Sequence, residues 1–210
     1  PLKNEAWRHA NRASARADRA EAANTLTFGE EGLLAENTDG GGLVADLCRL
    51  GAILESSRVC LIGAGGAAAG VLGALLENAP GLVVVANRTV ERASALAERH
   101  ADLGPVRAVG LDGLETSGSF DVVINSTAMG HSGEAAPISR ALFSDRTLCY
   151  DMNYGPASTP LARRCEEWGI NYSDGLGMLV EQAALSFFTW TGNRPETEPV
   201  LEELRQAAGK

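Results

Sequence analysis

The sequence predicts an α/β protein: a doubly wound parallel sheet with helices on both faces, joined to a smaller lobe made from both chain ends. Three observations carry this. From Arg58 onward, strand-like runs alternate with helix-like ones. The strands are apolar throughout rather than apolar on alternate residues, as expected for strands covered on both faces. A glycine-rich turn joins the first strand of that series to its first helix.

In chain order, residues 4–22 are rich in Ala, Arg and Glu with almost no breakers and predict one helix. Asn24–Phe28 and Leu33–Glu36 are short extended pieces, with Gly29 and Gly32 turning the chain between them. Asn37-Thr38-Asp39-Gly40 is a turn that can cap a helix running through Leu43, Leu47 and Leu50 to Gly51. The alternating series follows. Its strands are Arg58–Ile62, Leu82–Ala86, Val106–Val109, Asp121–Asn125, Leu148–Asp151 and Ile170–Tyr172, and its helices are Ala67–Glu77, Val90–His100 and Thr159–Trp168. Leu176–Gly192 is a long apolar helix and Glu196–Ala208 a polar amphipathic one. The first fifth and last sixth of the chain stand outside the alternation. They predict a separate lobe, residues 1–38 with 176–210, beside a nucleotide domain of residues 39–175.

Composition excludes several classes. Apolar residues make up 45% of the 210 and charged residues 21%, the balance of a soluble globular protein. No apolar run reaches the roughly 18–20 residues of a membrane span, and no signal segment follows Pro1. Net charge is −9 without a basic patch, which argues against nucleic acid as a partner. Cys48, Cys60, Cys149 and Cys165 form no C-x-x-C pair and read as reduced core thiols of a cytoplasmic protein. His9, His100 and His131 lack metal-ligand spacing, so no metal is expected. The chain opens on Pro1 rather than Met, which leads us to expect a missing front segment.

Gly63-Ala64-Gly65-Gly66-Ala67-Ala68 is the dinucleotide fingerprint of a Rossmann domain, with Ala in the third small position. Gly63 permits the tight turn, Gly65 lets the backbone approach a pyrophosphate, and Ala68 allows close helix–strand packing. The helix N-terminus then offers free N–H groups and a positive dipole end. The second strand ends in Asn87-Arg88-Thr89, with Arg92 one helical turn later. An NAD site usually has an acid there. Two guanidiniums suit a 2′-phosphate instead, so the expected cofactor is NADP.

These segments together resemble the shikimate dehydrogenases. Pro1-Leu2-Lys3 resembles the end of that family's catalytic-lysine segment, Ala23–Leu26 its substrate-binding asparagine segment, and Asn37–Gly40 its catalytic-aspartate segment. Asn125–Gly130, Tyr150–Tyr154 with Thr159-Pro160, and Asp174–Leu179 with Gln182 resemble its late loops and closing helix. The family's Ser-x-Ser segment has no counterpart here, which implies a substrate lobe without its front part, short of sheet strands and a carboxylate anchor. On that basis the chain is expected to bind NADP yet turn over shikimate poorly.

The resemblance implies NADPH-dependent reduction of 3-dehydroshikimate to shikimate, with Lys3 and Asp39 as acid–base pair. It implies Asn24, Tyr154 and Gln182 at the substrate. It implies cofactor contacts from Gly63, Ala64, Gly65, Gly66, Ala67, Asn87, Arg88, Thr89, Arg92, Ser126, Thr127, Ala128, Met152, Gly175 and Met178. Composition adds one hint of its own: sixteen arginines stand beside only two lysines, Lys3 and Lys210. A lysine in such a chain suits chemistry that Arg cannot do, namely proton release. Competing readings are a quinate/shikimate dehydrogenase with broader cofactor use, a glutamyl-tRNA-reductase-like nucleotide domain, and a non-catalytic NADP-binding module. A monomer or homodimer is expected.

Arg88→Ala should weaken NADP binding by about 1.5–3 kcal/mol, the range for hydrogen bonds to charged groups, and hardly affect NAD. Titrating both cofactors against both proteins checks this; equal losses for the two would remove Arg88 from the phosphate.

Overall fold

The computed structural model describes residues 2–208. Pro1, the first residue of the segment that carries Lys3, and Lys210 lie outside them. The first helix-like stretch is divided into α1 (Lys3–His9), β1 (Arg12–Ala13) and α2 (Ala15–Ala20). This corrects the single helix expected over 4–22. Asn11 and Ser14 turn the backbone out of the helix: Asn11 N–H donates to Leu33 O (2.8 Å), Leu33 N–H donates to Asn11 Oδ1 (2.7 Å), and Ser14 N–H donates to Ala35 O (2.9 Å). Ser14 Oγ then caps α2 by accepting from Ala17 N–H. Short polar side chains that bond nearby backbone compete with helix in this way.

β2 (Thr25–Gly29) and β3 (Gly32–Glu36) form a hairpin that pairs Gly29 with Gly32. β1 runs parallel to β3, giving a three-stranded sheet in the order β1-β3-β2. The small lobe is therefore not the strand-poor lobe that the sequence suggested. It has its own sheet and its own small core of Ala17, Ala23 and Ala35 under Trp7 and Leu26.

The larger sheet follows the expected alternation. β4 (Arg58–Ile62), β5 (Leu82–Asn87), β6 (Val106–Gly110), β7 (Phe120–Asn125), β8 (Phe143–Asp151) and β9 (Asn171–Ser173) are all parallel, in the order β6-β5-β4-β7-β8-β9. The order reverses between β4 and β7, where a doubly wound sheet opens a ligand crevice at the strands' carboxyl ends. Helices α4 (Gly66–Glu77), α5 (Val90–His100) and α6 (Thr159–Trp168) complete the crossovers. Cys60, Cys149 and Cys165 are buried free thiols, and burial pushes Cys60 up to about 12; Cys48 is exposed, so the core reading fails for it.

Two helices tie the sheets together: α3 (Asp39–Arg49) and α7 (Leu176–Thr191), with α8 (Glu198–Ala208) packed on α7. After Asp39, α3 continues with Gly40-Gly41-Gly42, each about 1 kcal/mol poorer than Ala in a helix. Close approach explains them. A Cβ on Gly42 would lie 2.7 Å from Gln182 N on α7, and one on Gly40 would lie 2.9 Å from Gly70 O on α4. Lower on α3, buried Asp46 accepts from Tyr150 Oη (2.7 Å) and Arg49 Nε (2.8 Å), joining the helix to β8. Burial and the Asp46 carboxylate push the Tyr150 phenol far up. Two further ion pairs link α2 and the residue after it to the end of α5: Arg19 to Asp102 (2.5 Å) and Arg99 to Glu21 (3.0 Å).

Gly42→Ala should force α3 and α7 apart. Stability should fall by about 1–3 kcal/mol, the usual cost of overpacking, read as a lower urea midpoint at unchanged slope. An unchanged midpoint would mean that the helices have room to spare.

Candidate active site

Asp39 is the first residue of α3 and is 4% exposed. Its Oδ2 pairs with Lys3 Nζ, thirty-six residues away in sequence, and its Oδ1 accepts from Asn24 Nδ2 at 2.9 Å. The backbone explains the meeting: Ala23 N–H donates to Lys3 O (2.9 Å), which fixes the start of α1 beside the residue before Asn24. Asn37 Oδ1 accepts from Asp39 N–H (3.0 Å) while its amide donates to Ala22 O (3.0 Å), clamping the turn to the same strand entry.

Asn24 is the hub. Its Nδ2 also reaches Gln182 Oε1 (3.0 Å) and Thr38 Oγ1 (2.8 Å), and its Oδ1 accepts from Thr38 N–H (3.0 Å). Behind it lies a hydroxyl cluster that the sequence reading missed. Thr25 Oγ1 and Ser186 Oγ are 2.6 Å apart, Thr38 Oγ1 and Ser186 Oγ 3.1 Å, and Thr25 Oγ1 donates to Asn24 Oδ1 (3.0 Å). A signal for Ser186 existed: it stands four residues after Gln182, on the same face of a helix. Thus Lys3, Asp39, Asn24 and Gln182 are brought into one network. Tyr154, 48% exposed in the turn after β8, makes no hydrogen bond to this network.

Lys3 also lines a cavity of about 630 Å³ with Gly65, Gly66, Arg92 and Arg99. Here the glycine turn is well formed. Gly63 has φ +110°, and a Cβ there would lie 2.6 Å from Ser126 Oγ; Gly65 has open space where a Cβ would be. Ala64 and Ala67 line the cavity beside Gly65 and Gly66, and Ala68 is wholly buried beneath the turn. Asn87 Nδ2 donates to Thr89 O (2.9 Å) and shapes the end of β5, leaving Arg88 and Arg92 exposed beside it. A glycine turn, a helix N-terminus and two free guanidiniums suit a dinucleotide carrying an extra phosphate.

Ser126, Thr127 and Ala128 follow β7, and Met152 follows β8, at the carboxyl ends of neighbouring strands. Gly175 caps α7, held by Gly175 N–H donating to Asn153 O (2.9 Å). Met178 is buried in the main core, with Met152 packed against that core.

Comparison with known proteins agrees with this geometry. Residues 48–134 match the family model described as shikimate / quinate 5-dehydrogenase, and residues 175–205 the one described as shikimate 5′-dehydrogenase C-terminal domain. The chain is 52% identical over 207 residues to a shikimate dehydrogenase (NADP(+)) of Alkalilimnicola ehrlichii, covering 98% of this chain and 76% of that protein. It resembles the crystal structure of an Ael1 enzyme from Pseudomonas putida with TM-score 0.90 and 39% identity, over 97% of this chain and 75% of the other. It also resembles the Thermus thermophilus shikimate 5-dehydrogenase solved with NADP(H) and shikimate, with TM-score 0.83 and 33% identity, over 99% of this chain and 76% of the other.

Curated relatives match 98–100% of the chain, which spans 71–77% of their length. The match therefore runs through both lobes. It corrects the expectation of a substrate lobe short of strands and only partly like the family's: the residues present in both lobes are matched throughout, and the small lobe has a sheet of its own.

Thr25→Val and Ser186→Ala should each cost about 0.5–1.5 kcal/mol. Because the two hydroxyls bond each other, the double variant should cost less than the sum by at least about 0.5 kcal/mol. Urea unfolding of all four proteins checks this; strictly additive losses would show the 2.6 Å contact to be energetically empty.

Proposed function

The chain belongs to the shikimate dehydrogenase family, and on that premise we propose how its residues divide the work. It is an NADP-dependent oxidoreductase that interconverts 3-dehydroshikimate and shikimate, on the route to chorismate and the aromatic amino acids. The single observation that best supports the division is the pairing of Lys3 with buried Asp39 at the edge of the cavity that holds the glycine turn.

NADPH supplies the hydride when bound. A ketone that accepts hydride becomes an alkoxide and needs a proton. Lys3 Nζ hydrogen-bonds the ketone oxygen, polarises it and then releases a proton to it. Asp39 orients the ammonium and stabilises its charge until that moment. Asn24 and Gln182 bind the ring hydroxyls, exchanging their mutual hydrogen bond for bonds to the substrate, and Tyr154 adds a hydroxyl at the rim.

Gly63, Ala64, Gly65, Gly66 and Ala67 take the pyrophosphate, and Asn87, Arg88, Thr89 and Arg92 the 2′-phosphate. These groups lie on the β4–β5 half of the sheet. Ser126, Thr127, Ala128 and Met152, with Gly175 and Met178, lie toward the β7–β8 half and take the nicotinamide end, since a doubly wound sheet receives a dinucleotide across its reversal point. In this reading residues 1–38 and 176–210 form the substrate lobe and 39–175 the cofactor domain. We place the protein in the cytoplasm as a monomer or homodimer without nucleic-acid or membrane partners; net charge −9 argues against a nucleic-acid partner.

Lys3→Ala should lower hydride transfer by about 10²–10⁴-fold, the usual worth of a positioned acid–base group, with a much smaller change in substrate affinity. Asp39→Asn should lower it too, and the double variant should lose far less than the product of the single losses. Single-turnover kinetics with saturating NADP and shikimate decides. Losses that simply multiply would dissolve the pair as a unit.

A further inference from the structure

Asp151 closes β8 and is 1% exposed, yet nothing in the reaction so far uses it. Three donors converge on its Oδ1: Asn125 Nδ2 (2.9 Å), Asn153 N–H (3.0 Å) and Asn153 Nδ2 (2.8 Å). Asn125, itself 2% exposed, turns its own Oδ1 to Thr127 N–H (3.0 Å) and Thr127 Oγ1 (2.8 Å). Asn153 Nδ2 also donates to Thr127 O (2.9 Å), and Met152 N–H donates to Asn125 O (2.9 Å). The result is a closed ring that fastens the loop after β7 to the loop after β8. The backbone donor at Thr127 fixes which way the Asn125 amide faces, so only an acceptor at Asp151 completes the ring.

We propose that Asp151 is a positioning residue that holds these two loops in the register presenting Thr127 and Met152 to the nicotinamide half of the cofactor. This rests on the assignment of Thr127 and Met152 to that half. A carboxylate suits the task because an ionised acceptor makes hydrogen bonds about twice as strong as a neutral one. The groups around it offer no competing cation: Asp174 before α7 is of like sign, and burial pushes Tyr172 of β9 up, so it is neutral. Cys149 is pushed up too, first by its hydrogen bond with Cys165 of α6. Burial raises the Asp151 carboxyl to about 6, against the hydrogen bonds from Asn153 and Asn125 that lower it.

The sign of the pH effect separates positioning from unfolding. Between the ordinary carboxyl value and about 6 the folded state binds the extra proton, so this group's contribution to stability rises as pH falls through that window. Acidification therefore costs no stability at Asp151. It removes the charge that strengthens the ring, and cofactor handling should weaken while the fold holds.

The test compares Asp151→Ala, Asp151→Asn, Thr127→Ala and Met152→Ala with the parent protein. Calorimetry measures NADP and 2′,5′-ADP, which lacks the nicotinamide half, and amide hydrogen exchange follows Thr127 and Asn153 in the ligand-free protein. Asp151→Ala should lose about tenfold or more in NADP affinity, keep its 2′,5′-ADP affinity, and exchange the Thr127 amide faster. Asp151→Asn keeps an acceptor but not the charge; its NADP affinity should fall between those of the parent and Asp151→Ala, matching the acidified parent, and the acid limb near pH 6 in the pH profile of kcat/KM should be lost. Equal losses of NADP and 2′,5′-ADP, or parent-like NADP binding by Asp151→Ala, would overturn the proposal. If Asp151→Ala does not fold, an Asp151→Asn profile with the acid limb intact overturns it instead. Should Thr127→Ala or Met152→Ala weaken NADP while Asp151→Ala does not, the positioning idea fails and the loop assignment stands. Should both loop variants bind NADP normally, the assignment fails and takes the proposal with it.

Discussion

A carboxylate placed almost out of reach of water must be met by donors from every side, and Asp39 is that carboxylate. An unpaired charge there would cost several kcal/mol. Three things offset the cost: the Lys3 ammonium, the Asn24 amide, and the N-terminus of α3, whose dipole favours an anion. Each comes from a different part of the chain. Lys3 is held by α1, Asn24 by the entry to β2, and the helix start by a turn clamped through Asn37. Satisfying one buried charge thus forces the small lobe to sit on α3 in one way. The pairing of Lys3 with Asp39 follows from that.

The same demand explains a locally poor helix. Three glycines at the start of α3 are a loss by propensity alone. They let α4 and α7 approach until Gln182 stands within reach of Asn24 and Gly70 stands against Asp39. Further along, Asp46 fastens the helix to Tyr150 on β8, close to the residues that end that strand. α3 at once carries the buried carboxylate, packs closely against α7 and braces β8. Its sequence is a compromise among the three.

This also marks what the sequence disclosed. The six parallel strands were legible because strands covered on both faces are continuously apolar, and the fingerprint at Gly63–Ala68 was legible because its chemistry depends on adjacent residues. Lys3, Asp39, Asn24 and Gln182 were found through segments whose order along the chain has a known counterpart. What escaped was whatever depends on contacts between distant segments. Residues 4–22 look helical until β3 is there to take the backbone of Asn11 and Ser14. Thr25, Thr38 and Ser186 are ordinary hydroxyls until the hairpin, α3 and α7 bring them together. Asp151 and Asn125 read as strand-end polar residues, and only the pairing of β7 with β8 makes them neighbours. The small lobe's own sheet was undervalued for the same reason: β1 is two residues long and has no pattern of its own.

The two polar networks differ in how they are built, and the difference bears on what each can do. Around Asn24 the bonds are shared among amides and hydroxyls, with Asn24 Nδ2 within reach of three acceptors and several hydroxyls able to act as donor or acceptor. Such a network can lose one partner and regroup, which a site that must exchange internal bonds for substrate hydroxyls requires. Around Asp151 the donors are mostly backbone or amide groups whose orientation is fixed by further backbone contacts. That ring has one arrangement. In the proposed reading, regrouping suits a side where substrate hydroxyls displace internal bonds, and rigidity suits a side where the nicotinamide must be held at one distance and angle to the carbonyl.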